Sequence, residues 1–222
     1  MMLCLWQGRC WLRIEDRAKG LELARESAEA GSCIGQFVVG RCCLAGLGVT
    51  KNYAEALWHL QLTAEQGHSR SWCDLGSMFL RGLGVVQDYS EAARCMRLAA
   101  ELRHAGAQYN LGLIFLFGEG VKQDNAEAAR FFRLAAEQEN PRALFNLGTM
   151  FYRGQGVARA YAEAVRLWRL AAEQGQADAQ CNLGVMYEEG KAKDGSEAIR
   201  WFHLAAAQGH AAATAALRDL ST

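Results

Sequence analysis

Residues 107–138 read AQYNLGLIFLFGEGVKQDNAEAARFFRLAAEQ, and this stretch contains the unit from which most of the chain is built. Its first part, Ala107 to Phe117, has apolar side chains at the spacing of one helix face. Gly118 to Gly120 then interrupts that pattern. A second amphipathic segment runs from Asn125 to Gln138. The stretch therefore predicts two helices joined by a glycine-rich turn.

The same unit recurs along the chain with a period of 36 residues. A leucine or valine followed by glycine marks each first helix, and a Glu-Ala pair marks each second helix. The recurring glycines are Gly40, Gly76, Gly112, Gly148 and Gly184, and the Glu-Ala pairs begin at Glu55, Glu91, Glu127 and Glu163. A fixed period in this range is typical of helical solenoids. We predict an all-α fold, an α-solenoid of antiparallel two-helix repeats wound as a right-handed superhelix.

The recurring glycine has a packing explanation. Two helices approach within about 8–10 Å only where neither presents a long side chain to the other. We predict that Gly112 faces Ala128 or Ala136 of the second helix, so that the two backbones approach closely. Large apolar residues such as Leu111 would then fill the remaining space.

The period also sets the boundaries of the repeats within one domain. Pro141, the only proline, follows Asn140, which predicts the start of a helix with a capping residue before it. Arg218 stands where a repeat would have its glycine, so the last segment is interpreted as a cap. The predicted segments are a partial N-terminal repeat over 1–33, five repeats over 34–69, 70–105, 106–141, 142–177 and 178–211, the last one short, and a C-terminal capping helix over 212–222.

The beginning of the chain matches only the second half of a unit. Residues 16–31 are in register with the second helices, so the partner helix would begin at or before Met1. We expect either a piece of a longer repeat protein or a divergent first repeat. A targeting signal could therefore lie outside this sequence, and none is found within it.

Charge and composition argue against nucleic-acid and membrane binding. The chain has 24 Lys and Arg against 24 Asp and Glu, so its net charge is zero. Arginines recur on the predicted second helices, but glutamates on the same helices neutralise them. No apolar run reaches the roughly 18 residues of a membrane helix. We predict no nucleic-acid partner and no direct insertion into a membrane.

The eight cysteines form neither a regular pairing pattern nor a metal motif. No Cys-x-x-Cys occurs, and a disulfide-stapled repeat would show a pair in every unit. The cysteines are Cys4, Cys10, Cys33, Cys42, Cys43, Cys73, Cys95 and Cys181. We predict reduced, mostly buried thiols and a cytoplasmic protein.

Catalytic and cofactor chemistry is not indicated. His68, His104 and His210 share one position after a second helix, which we interpret as a repeated loop residue. The glycine pairs that begin at Gly46 and its equivalents lack the preceding strand of a dinucleotide site. We predict no enzyme activity, no metal and no cofactor.

Four segments together resemble the Sel-one-like repeat (SLR) family, a branch of the tetratricopeptide-repeat superfamily. They are Leu147-Gly148, Gly154-Gln155-Gly156-Val157, Glu163-Ala164 and Ala171-Ala172-Glu173-Gln174-Gly175. The resemblance extends over about residues 34–211. It implies an adaptor or scaffold for other proteins, with no catalytic machinery in the repeat. It also implies that the first helices line a concave face.

We predict that a protein or peptide partner binds this concave face. Aromatic side chains would fill pockets of the partner, and amides would pair with its backbone. The predicted contact residues are Phe37, Tyr109 and Phe145, then Asp74, Asn110, Asn146 and Asn182, and finally Leu80, Leu116 and Tyr152.

Two alternatives remain open at this point. The same residues could instead pack and cap the helices. At the level of function, the chain could be a structural subunit of a larger assembly in which no peptide groove is used.

Overall fold

A computed structural model describes residues 14–188 and 195–220 of the chain. These residues form twelve α-helices and no strand, so the prediction of an all-α solenoid of two-helix repeats is confirmed. The helices are α1 (Ile14–Glu29), α2 (Cys33–Ala45), α3 (Tyr53–Glu65), α4 (Ser69–Arg81), α5 (Tyr89–Glu101), α6 (Ala105–Phe117), α7 (Asn125–Ala136), α8 (Pro141–Arg153), α9 (Tyr161–Glu173), α10 (Ala177–Glu188), α11 (Gly195–Ala207) and α12 (Ala211–Asp219).

The chain divides into two compact units, residues 1–102 and 103–222. In the first unit α1 to α5 pack in chain order, each helix against the next. In the second unit α6 to α12 do the same. The even-numbered helices are the first helices of the repeats, and the odd-numbered ones are the second helices. No helix in the described residues is both long enough and apolar enough to cross a membrane.

The observed helix bounds differ from the predicted ones by about one turn or less. The second helix predicted to end at Gln138 ends at Ala136. Glu139 has a φ of 58°, and such a left-handed residue stops a helix. The corresponding residue is a glycine with positive φ at Gly67 and Gly175. The predicted turn of the short fifth repeat and the helix expected near Met1 lie outside the described residues.

The three recurring histidines are helix N-caps, a role that the loop interpretation missed. The Nδ1 atom of His104 accepts a hydrogen bond from the backbone N–H of Ala107 at 3.1 Å. His210 makes the same bond, at 3.3 Å, to Ala213. Asn140 caps α8 equivalently and Pro141 is its first residue, as predicted. At these three helix starts a side-chain acceptor therefore satisfies a free backbone N–H, whereas His68 precedes α4 without such a bond.

At Gly112 the nearest neighbour is Phe132 and not one of the predicted alanines. At Gly40, Gly76 and Gly148 the carbonyl oxygen of the alanine equivalent to Ala128 does lie 3.5, 3.2 and 3.2 Å from the Cβ position. A Cβ atom on Gly112 would lie 2.6 Å from Cδ1 and Cε1 of Phe132, so an aromatic ring is its nearest neighbour. The same holds for Gly148, where the indole of Trp168 would lie 2.7 Å away. The missing side chain makes room for a ring from the second helix, because protein interiors are packed without voids.

Candidate protein-binding surface

The ten predicted contact residues all lie on first helices. Phe37 is on α2, Asp74 and Leu80 are on α4, Tyr109, Asn110 and Leu116 are on α6, Phe145, Asn146 and Tyr152 are on α8, and Asn182 is on α10. The first three belong to the first unit and the other seven to the second unit. Whether a partner contacts them stays a prediction.

Phe37 lies mainly in the core of the first unit. It is only 6% exposed and packs in a cluster with Leu60, Leu75 and Met78. Its ring centroid is 4.2 Å from that of His68. This placement agrees with the alternative interpretation, in which the predicted contact residues, at equivalent positions of successive repeats, pack the helices instead.

Asp74 belongs to a charged cluster on α2 and α4. The Nε atom of Arg41 lies 3.6 Å from Oδ2 of Asp74, which is an ion pair but too long for a hydrogen bond. Burial raises the pKa of Asp74, and the nearby Arg41 and Arg70 only partly offset this effect. Burial also lowers the pKa of Arg70. The charged form of the carboxylate is therefore disfavoured at this position.

Asn146 and Asn182 present half-buried amides in the second unit. The two residues occupy the same position on successive first helices, α8 and α10. Neither side chain makes a hydrogen bond to the part of the chain that the structure describes. Both residues are partly exposed, so their amide donors and acceptors are accessible from solvent.

Aromatic side chains accompany these amides on α6 and α8. Tyr109, Phe145 and Tyr152 are each half-buried and pack against the core of the second unit. The Tyr152 ring centroid is 5.4 Å from that of Trp168. One part of each ring is therefore held by the core, while another part reaches solvent. Leu116 has the same half-buried character.

A set of glutamines that the sequence analysis did not single out joins the helices. The Oε1 atom of Gln108 accepts a hydrogen bond from Gln138 at 2.6 Å, and Gln180 accepts one from Gln208 at 2.9 Å. Gln108 and Gln180 are buried, so these bonds are structural. The signal was present in the sequence, because Gln36, Gln108 and Gln180 recur every second repeat.

The described cysteines are free thiols, and four of them are buried. Burial raises the pKa of Cys43 and Cys95 to about 11 and that of Cys73 to about 12. Thiols with such values are protonated and unreactive near neutral pH. Among the described residues, no group of three metal-ligating side chains lies close together.

Several solved structures are similar to this chain. A protective antigen present in uropathogenic Escherichia coli strains, which displays an SLR fold, is 35% identical with a TM-score of 0.83. The match covers 92% of this chain but 44% of the antigen, so the chain spans less than half of that protein. A Sel1 repeat protein from Oxalobacter formigenes is 26% identical with a TM-score of 0.75, over 85% of this chain and 76% of that one.

A more distant structure shares the fold alone. The immunity protein Pa5087 from Pseudomonas aeruginosa is 21% identical with a TM-score of 0.51, over 92% of this chain and 74% of that one. The comparison with curated proteins returned no match.

The sequence profile of the Sel1 repeat matches six segments of the chain. The matched residues are 3–32, 34–68, 73–104, 105–140, 141–176 and 177–210. Sel1 repeat proteins generally mediate protein–protein interactions, and the repeat is a non-catalytic scaffold. With six matched repeats and a helical solenoid of the same kind, this chain belongs to the Sel1 repeat family.

Proposed function

We propose that this chain is a protein-interaction adaptor that binds a protein or peptide partner on the concave face formed by its first helices. The observation that carries the proposal is the pair of open amides at Asn146 and Asn182. An asparagine side chain has two N–H donors and a carbonyl acceptor. It can therefore pair with both the N–H and the C=O of an extended partner backbone.

The aromatic residues beside the amides supply the apolar part of such a site. Tyr109, Phe145 and Tyr152 are anchored in the core and half open, so little conformational freedom is lost when a partner covers them. Rings with this placement are frequent at the energetic centre of protein interfaces. Leu116 would extend the apolar surface on α6. In the first unit, Asp74 and Leu80 are the half-buried counterparts, whereas Phe37 contributes mainly to the core.

The proposal includes a non-catalytic role in a reducing, cytoplasmic compartment. It is supported by the four buried free thiols of Cys43, Cys73, Cys95 and Cys181. We expect these four to react with a thiol reagent only after denaturation. A lack of free thiols in the denatured chain would overturn this part of the proposal.

Site-specific photo-crosslinking in the native source tests the adaptor role. A photoreactive amino acid placed at Asn146 or Asn182 should form crosslinks to one partner. The same amino acid at Arg130 or Arg166, which are exposed on the second helices α7 and α9, should not. The melting temperature of each variant shows whether the fold is retained.

The identified partner then allows a direct measurement of affinity. Asn146→Ala should weaken its binding without lowering the melting temperature. Tyr109→Ala should also weaken binding, with some loss of stability because the Tyr109 ring packs near Phe132. Crosslinks that appear mainly from the second helices and chain ends would favour the structural-subunit alternative. A loss of fold in both variants would show that the two residues belong to the core.

A further inference from the structure

A cleft of about 290 Å³ opens in the first unit between α1, α2 and α3. Arg25 and Glu29 of α1, Val39 of α2, and Glu55, Trp58 and His59 of α3 are among the residues that line it. Most of the lining comes from the second helices α1 and α3. The cleft is therefore separate from the first-helix residues proposed above to bind a partner.

The internal pattern of the repeats is broken at this cleft. In the four other repeats an arginine follows three residues after the recurring glutamate and forms an ion pair with it. The distances are 2.9 Å for Arg94–Glu91, 2.8 Å for Arg130–Glu127, 2.5 Å for Arg166–Glu163 and 3.0 Å for Arg200–Glu197. In the repeat of α2 and α3, Trp58 occupies the arginine position. Glu55 pairs instead with Arg25 of the neighbouring helix, at 3.1 Å.

Trp58 leaves a large aromatic surface open to solvent, since it is 59% exposed. Three other repeats hold their own arginine over an aromatic ring, and the guanidinium carbon of Arg94 lies 6.0 Å from the ring centroid of Trp72. The guanidinium carbon lies 4.1 Å from the ring centroid of Phe131 for Arg130, and 5.3 Å from that of Trp201 for Arg200. Within the described residues, no cation takes this place at Trp58. An aromatic face of this kind attracts a cation from outside the chain.

His59 adds a polar atom to the cleft that lacks a partner. Its Nδ1 atom is buried and makes no hydrogen bond to the described residues. Burial lowers the pKa of His59, which favours the neutral ring, and a neutral imidazole keeps one nitrogen as an acceptor. The equivalent residues Cys95, Phe131 and Leu167 are buried and apolar.

The charge of the lining favours the same kind of occupant. The cleft is lined by two carboxylates, Glu29 and Glu55, against one guanidinium, that of Arg25. Glu55 pairs with Arg25 and also accepts a hydrogen bond from Asn52 at 3.1 Å, whereas Glu29 forms no ion pair with the described residues. We propose that this cleft binds the cationic side chain of an arginine or lysine from a protein partner, stacked on Trp58 and paired with Glu29 and Glu55. The proposal does not require that the first helices bind anything.

The test uses the full chain and two short probe peptides that differ in one group. One peptide is a blocked Gly-Gly-Arg-Gly-Gly, and the other has citrulline, which is neutral, in place of arginine. Binding is followed through the indole N–H resonance of Trp58 in NMR spectra, which is assigned by its loss in Trp58→Phe. We expect the arginine peptide to bind about tenfold more tightly than the citrulline peptide. Trp58→Ala should lower the arginine peptide's affinity roughly three- to thirtyfold, as followed by the resonances of neighbouring residues.

Matched variants separate the cleft from general effects of charge. Glu29→Gln should weaken binding of the arginine peptide, whereas Glu65→Gln, at the same repeat position on α3, should leave it unchanged. Trp58→Arg restores the arginine of the other repeats and should abolish binding. Melting temperatures report whether each variant is folded. If Trp58→Arg does not fold, the result for Glu29→Gln decides the test.

Three results would overturn the proposal. The first is equal affinity for the arginine and citrulline peptides. The second is equal affinity for the arginine peptide and a peptide with norleucine in place of arginine. The third is an affinity for the arginine peptide that is unchanged in both Trp58→Arg and Glu29→Gln. This test is independent of the first-helix proposal. Asn146 lies in the other unit, so Asn146→Ala should leave the affinity for the arginine peptide unchanged, whether or not that residue binds a partner.

Discussion

Phe132 places its ring against Gly112, so closely that a Cβ atom on the glycine would stand 2.6 Å from two of the ring carbons. Real side chains do not tolerate this distance, so only glycine fits beneath the ring. The first helix therefore lacks a side chain at the point where the second helix presents the ring of Phe132. This contact joins the two helices of the repeat.

Gly112→Ala should destabilise the protein, because the added methyl group overlaps Phe132. We expect a loss of about 1–3 kcal/mol in the free energy of unfolding, measured by urea denaturation, and a larger loss for Gly112→Leu. Gly20→Ala is the control, since Gly20 lies in α1 with nothing near its Cβ position. That variant should be neutral or stabilised by up to about 1 kcal/mol. Equal effects at both glycines would contradict the ring contact.

Leu111→Ala should cost about 2–5 kcal/mol of unfolding free energy, because it leaves a cavity in the core of the second unit. Leu111 is completely buried, whereas Phe117 at the end of the same helix is 65% exposed. Phe117→Ala is therefore the matched control and should change stability by less than about 0.5 kcal/mol. Thermal or urea unfolding of the two variants measures the difference. A similar stability for both would refute the assignment of the core.

His104→Ala should cost up to about 1 kcal/mol, because the Ala107 N–H loses its side-chain acceptor at the start of α6 and keeps only the carbonyl of residue 104. His104→Asn should retain most of the stability, since Asn140 caps α8 by the same bond to Ala143. His203→Ala on the exposed side of α11 controls for the loss of a histidine in general. If the alanine and asparagine variants at position 104 had the same stability, the cap would contribute nothing.

Asp74→Asn should stabilise the protein at neutral pH. Burial raises the pKa of Asp74 above its ordinary value of 3.8, so the folded state binds this proton more tightly than the unfolded state. The penalty for ionisation is absent below pH 3.8 and grows as the pH rises through the raised pKa. The advantage of the asparagine variant should therefore shrink on acidification.

Urea denaturation of the Asp74 variant at several pH values checks this dependence. Glu65→Gln, at an exposed position, provides the control and should show no comparable change with pH. Destabilisation of Asp74→Asn at pH 7 would mean that the pairing with Arg41 outweighs the cost of burial.

The period of the sequence was enough to predict the helices of the repeat. Leu111, Gly112 and Glu127 all recur with the period of 36 residues. Such a period can be found in the sequence without any knowledge of tertiary contacts. The start of α8 at Pro141 also followed from local chemistry, because a proline and a capping residue act on the adjacent backbone. The caps at His104 and His210 were missed, since histidine is not among the usual capping residues.

The candidate site was predicted only in part. The columns of residues on the first helices followed from the repeat, but their exposure did not. Phe37 and Phe145 share one column, yet the first lies in the core and the second is half open. The burial of a side chain depends on its neighbours from other helices, and these neighbours cannot be read from its position in the repeat.

The one-dimensional pattern of this chain was sufficient for its repeat, its helices and its family, because each of these rests on the spacing of residues along the backbone. The tertiary structure alone decided that Phe132 covers Gly112, that the amides of Asn146 and Asn182 stay open, and that a cleft forms beside Trp58. These features arise where side chains from different helices meet. Their distances depend on how the helices pack, which no spacing within a single helix determines.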